Sequence, residues 1–124
     1  MSLQIFTPLE LFIIIHFIGD FLLQNKWLSF YKNKSVLVKA VHSFIYAVVF
    51  LPVLLYYGAS FIVVKLLILF LSHFIIDSDK NIIFLLNKFK KIKADDFSEA
   101  IWRIIVLVTD QLFHLLIIVL ILMF

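Results

Sequence analysis

Seven residues able to bind a metal ion or move a proton lie inside otherwise apolar stretches: His16, Asp20, His42, His73, Asp77, Asp110 and His114. His16 with Asp20, His73 with Asp77, and Asp110 with His114 share a four-residue spacing, which stacks each pair on one face of a helix. Neutral imidazole nitrogens and carboxylate oxygens are ligands for zinc, manganese or iron. The set therefore predicts a divalent-metal site of one or two ions, zinc before manganese or iron. All seven are candidate ligands, and Asp20, Asp77 and Asp110 divide between ligation and general-base work. Cys is absent, which removes thiolate sites, disulfides and cysteine nucleophiles.

Gln24 and Gln111 could bind a substrate oxygen or hydrogen-bond between helices. Lys26, Lys32, Lys39, Lys80 and Arg103 flank the polar residues and suit an anionic headgroup. The plainer alternative is a His–Asp network that only holds helices together. Each such bond is worth about 0.6–2 kcal/mol in a membrane, a small return against the several kcal/mol that an unpaired ionisable group costs there.

The elements that must position these residues are apolar helices. Of 124 residues 65% are hydrophobic and 15% charged, against about 45–50% and 25% in soluble domains. An ordinary soluble enzyme and an open-surface nucleic-acid binder are excluded on that ground, and anionic lipid explains the net charge of +3. Four segments, about 5–24, 36–57, 61–79 and 101–124, approach the roughly 20 apolar residues of a membrane span. The expected fold is all-α: one integral membrane domain over 1–124, a polytopic four-transmembrane-helix bundle. Gly58-Ala59-Ser60 is a tight turn, so the second and third helices are antiparallel. Between the third and fourth spans, Ile82, Ile83, Leu85, Leu86 and Phe89 alternate with Asn87, Lys88, Lys90 and Lys91, as in a short interfacial amphipathic helix.

Every Lys and Arg except Lys65 lies at one face of this arrangement. Positive loops stay in the cytoplasm, which places both chain termini outside; Lys65 would snorkel from its helix. The N-terminal segment carries Glu10 and Asp20 and lacks a basic leader, so it reads as a retained first helix, and no soluble appendage is expected after the last apolar run. Counting inward from the basic flanks puts Asp20, His42, His73 and Asp110 about 10 Å deep at 1.5 Å per residue, with His16, Asp77 and His114 about 6 Å away. Gly19 would allow close helix approach, and Asp96 or Ser98 would cap the last helix.

These residues resemble a bacterial membrane family known as domain of unknown function 3307. The matching motifs are His16-Phe17-Ile18-Gly19-Asp20-Phe21-Leu22-Leu23-Gln24 followed by Lys26 and Lys32, then His42-Ser43 after Lys39-Ala40-Val41. His73-Phe74-Ile75-Ile76-Asp77 with Lys80, and Asp110-Gln111-Leu112-Phe113-His114, complete the set in order. The resemblance implies the bacterial cytoplasmic (inner) membrane. A looser likeness, in site composition, is to small membrane-bound metal-dependent hydrolases.

The expected function is a membrane-embedded metal-dependent hydrolase acting on a lipid-linked or amphipathic anionic substrate from the cytoplasmic leaflet. Membrane lipid is the expected partner, and homo-oligomerisation stays open. The alternatives are a divalent-cation or proton transporter, and a structural or regulatory subunit held by an interhelical His–Asp network.

Overall fold

The computed structural model describes residues 5–22 and 25–124, and among them the chain is all-helical, without strands. Helix α1 (Pro8–Phe17) starts on a capping box: Thr7 Oγ1 accepts from the Glu10 amide, and the Glu10 carboxylate accepts from the Thr7 amide. Glu10 is thereby accounted for as a helix-starting residue. α1 runs into a π turn, Ile18–Leu22. The short α2 (Lys26–Tyr31) is capped by Asn25 and α3 (Val36–Val49) by Ser35. Pro52 sits in the first turn of α4 (Leu51–Tyr56), where no helical amide is lost, so α3 and α4 form one apolar run, Val36–Tyr56.

Gly58, at φ +61°, turns the chain into α5 (Ile62–Ile76). α6 (Asp79–Leu85) continues into a second π turn, Leu86–Lys90. Last comes α7 (Glu99–Leu122), capped by Ser98, whose Oγ accepts from the Ile101 amide. α3 packs on α5, α5 on α7 and α7 on α1, while the first π turn returns to α3 and closes a ring of four helices.

Among the described residues two helices are long and apolar enough to cross a membrane, Val36–Tyr56 and Glu99–Leu122; four such segments were expected. α5 has 15 residues because Asp77 leaves helical geometry (φ −70°, ψ 59°) and Ser78 is extended. The first segment is divided between α1 and the π turn. After α5, Ile82 and Leu86 pack against Val106 as the apolar pattern predicts, whereas Phe89, expected on the same face, is exposed together with Lys88 and Lys90. Lys65 differs from expectation. It is buried, with its ammonium 5.1 Å from the Phe124 ring centroid, instead of reaching outward.

Burial is inverted relative to a water-soluble fold. His16, Asp20, His42, Ser43, Lys65, His73, Asp77 and His114 are buried, while Leu37, Phe44, Val63, Ile104 and Val108 are each at least 59% exposed. Inside the ring, Phe12, Phe50, Leu54, Leu69 and Ile118 form an apolar plug. Each polar position lies about a turn or more along its helix from a plug residue: His16 from Phe12, His73 from Leu69, His114 from Ile118. Apart from Lys65, which lies beyond Leu69 at the other end of α5, the buried polar side chains thus form a layer between this plug and the lysine-rich end of the ring.

Candidate metal centre

Four ligand atoms converge from three elements and one helix end. Asp20 comes from the π turn, His42 from α3, His73 from α5 and Asp77 from the residue that ends α5; all four are buried. His42 Nε2 lies 3.0 Å from His73 Nε2, 3.6 Å from Asp20 Oδ1 and 3.2 Å from Asp77 Oδ2. His73 Nε2 lies 3.7 Å from Asp20 Oδ1 and 3.5 Å from Asp77 Oδ2. An ion with four ligands at 2.0–2.1 Å in a tetrahedron has ligand–ligand edges of about 3.3–3.4 Å. These five separations bracket that value, so the buried Asp–His cluster could hold a metal ion.

The layer expected from residue counting was Asp20, His42, His73 and Asp110. Asp77 takes the place of Asp110. Asp77 keeps the helical bond from its amide to the His73 carbonyl and a helical φ of −70°, so it lies one turn beyond His73 on the same face, and its side chain, tilted toward the helix N-terminus, reaches back to 3.5 Å from His73 Nε2. Asp110 belongs to a second group, with Asp20 and His114, whose ligand atoms also lie within 4.8 Å of one another.

Hydrogen bonds fix which nitrogens carry protons. A backbone carbonyl can only accept, so His114 Nδ1 donates to the Asp110 carbonyl at 2.8 Å. His114 Nε2 is then the acceptor for His73 Nδ1–H, 2.8 Å away. That leaves the lone pair of His73 on Nε2, aimed at His42 and the two carboxylates. An outer partner that fixes tautomer and ring angle is the usual support of a ligating histidine. His114 therefore orients His73 through both of its own nitrogens. Tyr46 stacks on the other side of the His73 ring, with centroids 3.9 Å apart at 11°.

His16 sits one step out. Gln111 Oε1 accepts from His16 Nε2–H at 2.9 Å, and His16 Nδ1 accepts the Tyr46 hydroxyl at 2.8 Å. Both ring nitrogens are satisfied, and the structure does not bring His16 into either ligand group. Gln111 Nε2 donates to Asp20 Oδ2 at 3.1 Å and to Asp110 Oδ2 at 2.9 Å. Gln111 thus holds the Asp20 carboxylate in place while its oxygen engages His16. Asp110 Oδ1 is buried without a hydrogen-bond partner among the described residues. Asp110 also borders a cleft of about 340 Å³ between α6 and α7, which Trp102 and Arg103 line.

Lys32 Nζ reaches both oxygens of Asp77 at 3.0 Å. Lys32 also lines a cavity of about 440 Å³ together with Lys34, Lys39 and Lys80. Of the other basic candidates, Lys26 is an exposed residue of α2 and Arg103 pairs with Glu99 on α7, neither bordering that cavity. Gln24 lies outside the described residues. Gly19 behaves as expected: an added Cβ would come within 2.9 Å of Val49 Cγ2 and 3.0 Å of Tyr46 Cδ2. Its π turn puts Asp20 into the cluster, and π turns recur at functional sites.

Sequence reasoning overlooked Tyr46 and the Lys32–Asp77 pair. Tyr46 had a local signal, since it follows His42 by four residues on the same helix face. Lys32 had none beyond its charge.

The family described as "Protein of unknown function (DUF3307)" matches residues 9–124. The chain belongs to this family. No curated protein and no solved structure matches the chain.

Proposed function

We propose that the chain is a membrane-embedded, metal-dependent hydrolase whose substrate is amphipathic and anionic. Charge balance at the buried layer carries this reading. Asp20, Asp77 and Asp110 supply three negative charges and Lys32 one positive charge in direct contact; His16, His73 and His114 are satisfied as neutral rings, and His42, which faces the Asp20 and Asp77 carboxylates, is counted neutral because a ligating imidazole nitrogen carries no proton. The layer is left at −2, and ionisable groups in such surroundings must be compensated. One divalent ion at the four-atom cage balances the sum, and the tetrahedral edges favour zinc over larger ions.

Placement in a bilayer rests on the inverted burial and on the packing ring. The two helices long enough to cross both contact α5, so α5 occupies the same slab, and α1 with its π turn bridges α7 and α3. The reading is four crossings in one domain, with α6 at the interface and the lysine-rich end in the cytoplasm, as positive loops favour. Both termini then lie outside the cytoplasmic membrane. A transport path would have to pass the plug of Phe12, Phe50, Leu54, Leu69 and Ile118, which favours one-sided access and chemistry over conduction.

Bound in the cage, a divalent ion acts as a Lewis acid, polarising the bond under attack and making water a competent nucleophile near neutral pH. Four protein ligands close a site, whereas catalysis needs an open position. Asp77 is the ligand able to yield, because Lys32 already holds both of its oxygens. Asp20, His42 and His73 then remain as a three-residue set. Asp110, with its unpartnered Oδ1 beside this set and its edge on the α6–α7 cleft, is the residue placed to take a proton from the attacking water.

The test separates ligation from proton transfer. Protein in nanodiscs is assayed for zinc content and for turnover of chromogenic phosphodiester and acyl-ester surrogates. Asp110→Asn is expected to keep its zinc and lose about 10²–10⁴ in turnover, the range for general-base removal. Asp20→Asn is expected to lose both. Full turnover without bound metal, or full turnover in Asp110→Asn, overturns the proposal.

A further inference from the structure

Lys65, Leu69 and His73 follow one another at four-residue spacing and are all buried, so Lys65 stands on the inner face of α5. Leu69, in the apolar plug, separates it from the metal layer. Lys65 is 5% exposed, and among the described residues its ammonium has neither a hydrogen bond nor an ion pair. The Phe124 ring, with its centroid 5.1 Å from Nζ, offers a π face and no counter-charge. A buried ammonium without an anion is costly.

The first turn of the 15-residue α5 has the same need. Its first helical bond runs from the Lys65 amide to the Phe61 carbonyl at 2.9 Å, so the amides of Ile62, Val63 and Val64 have no intrahelical acceptor. Phe61, the N-cap, has no side-chain acceptor to offer them, and no side chain caps this end. A helical side chain leans over the turn that precedes its own Cα, which directs Lys65 at residues 61–64. The rings agree with that direction: Phe124 faces both Lys65 Nζ and the Phe61 ring, whose centroid is 6.4 Å from its own.

We infer that Lys65 and the open first turn of α5 form an anion site that takes phosphate oxygens. The amides supply directed donors at the positive end of the helix dipole, and the ammonium supplies the full charge. One ammonium matches one negative charge, as on the phosphodiester of phosphatidylglycerol, and free phosphate offers the same oxygens. Phe61 and Phe124 are exposed beside the site and give apolar surface to whatever adjoins the phosphate. In the orientation proposed above, the outer leaflet would supply the lipid. The site shares no residue with the cage and stands whether or not the hydrolase reading does.

The experiment releases full-length protein from nanodiscs of mixed phosphatidylcholine and phosphatidylglycerol and reads the retained lipid by native mass spectrometry. Inorganic phosphate is titrated separately by calorimetry in phosphatidylcholine nanodiscs. Retention of phosphatidylglycerol over phosphatidylcholine without phosphate binding assigns the lipid headgroup, and phosphate binding assigns the soluble source. In either case Lys65→Met, which keeps the apolar stem, should weaken binding about tenfold, the lower end for a hydrogen bond to a charged group. Lys65→Arg should keep it, and Lys90→Gln, exposed on the π turn after α6, should leave it unchanged. Wild-type protein that prefers neither lipid and binds no phosphate overturns the site, and that comparison needs no variant to fold. Wild-type binding in folded Lys65→Met overturns it too, as does an equal loss in Lys65→Arg or in Lys90→Gln.

Discussion

His73, His114 and His16 stand at successive distances from the cage, and their substitutions should form a ladder in metal affinity. His73 contributes a ligand atom, His114 holds the His73 tautomer at 2.8 Å, and His16 reaches Asp20 only through Gln111. Four-ligand zinc sites bind with about 10–16 kcal/mol, so one ligand's share is about 2.5–4 kcal/mol, or about 10²–10³ in affinity. His73→Ala should lose that much. Loss of an outer partner typically costs 10–100-fold, the expectation for His114→Ala. His16→Phe, two hydrogen bonds from the cage, should fall below about tenfold. The assay is competition for zinc against a chromophoric chelator in detergent, with circular dichroism as the folding control. Asp20→Asn, nearly isosteric, repeats the first rung if His73→Ala unfolds when its ring no longer packs on Tyr46. Equal losses at all three histidines in folded protein, or a larger loss at His16 than at His73, would refute the assignment of ligand and support roles.

Gly19→Ala should lower stability by about 1–3 kcal/mol through overpacking in denaturant titration, because the new Cβ meets Val49 and Tyr46; adding Val49→Ala should recover part of it. Tyr46→Phe leaves His16 Nδ1 without its hydroxyl donor and should cost about 1–3 kcal/mol, read by thermal unfolding in detergent. Chelation should lower the melting temperature reversibly, since free zinc at about 1,000 times Kd adds about 4 kcal/mol to the folded state; a melting temperature indifferent to zinc argues against the cage. Lys32→Met strips Asp77 of its ion pair and should destabilise the metal-free protein more than the zinc-loaded one, the difference being read from paired melts.

The sequence alone determined that the chain is helical and that its buried His and Asp residues gather into a cluster able to hold a metal ion. An apolar composition fixes helices, because each satisfies its own backbone hydrogen bonds, and a four-residue spacing fixes which side chains share a face. Those are local properties, written in neighbouring residues. The close packing at Gly19 was legible too, since only a residue without a Cβ leaves that room. Which carboxylate completes the cage was decided elsewhere. Counting residues along ideal helices favoured Asp110, yet the Asp77 side chain, one turn beyond His73 on the same face, reaches back to its ring, and the π turn swings Asp20 toward α3. The separation of His16 from the cage, and of His114 as a support for His73, arose from the relative rotation of α1, α5 and α7. That rotation is set by packing between residues distant in the chain, such as Gly19 against Tyr46 and Val49. The Lys32–Asp77 pair spans 45 residues and has no periodic signature at all. Only the tertiary structure could place that ammonium between a cavity and a buried carboxylate, because a salt bridge depends on where two chain segments meet and not on what lies beside either one.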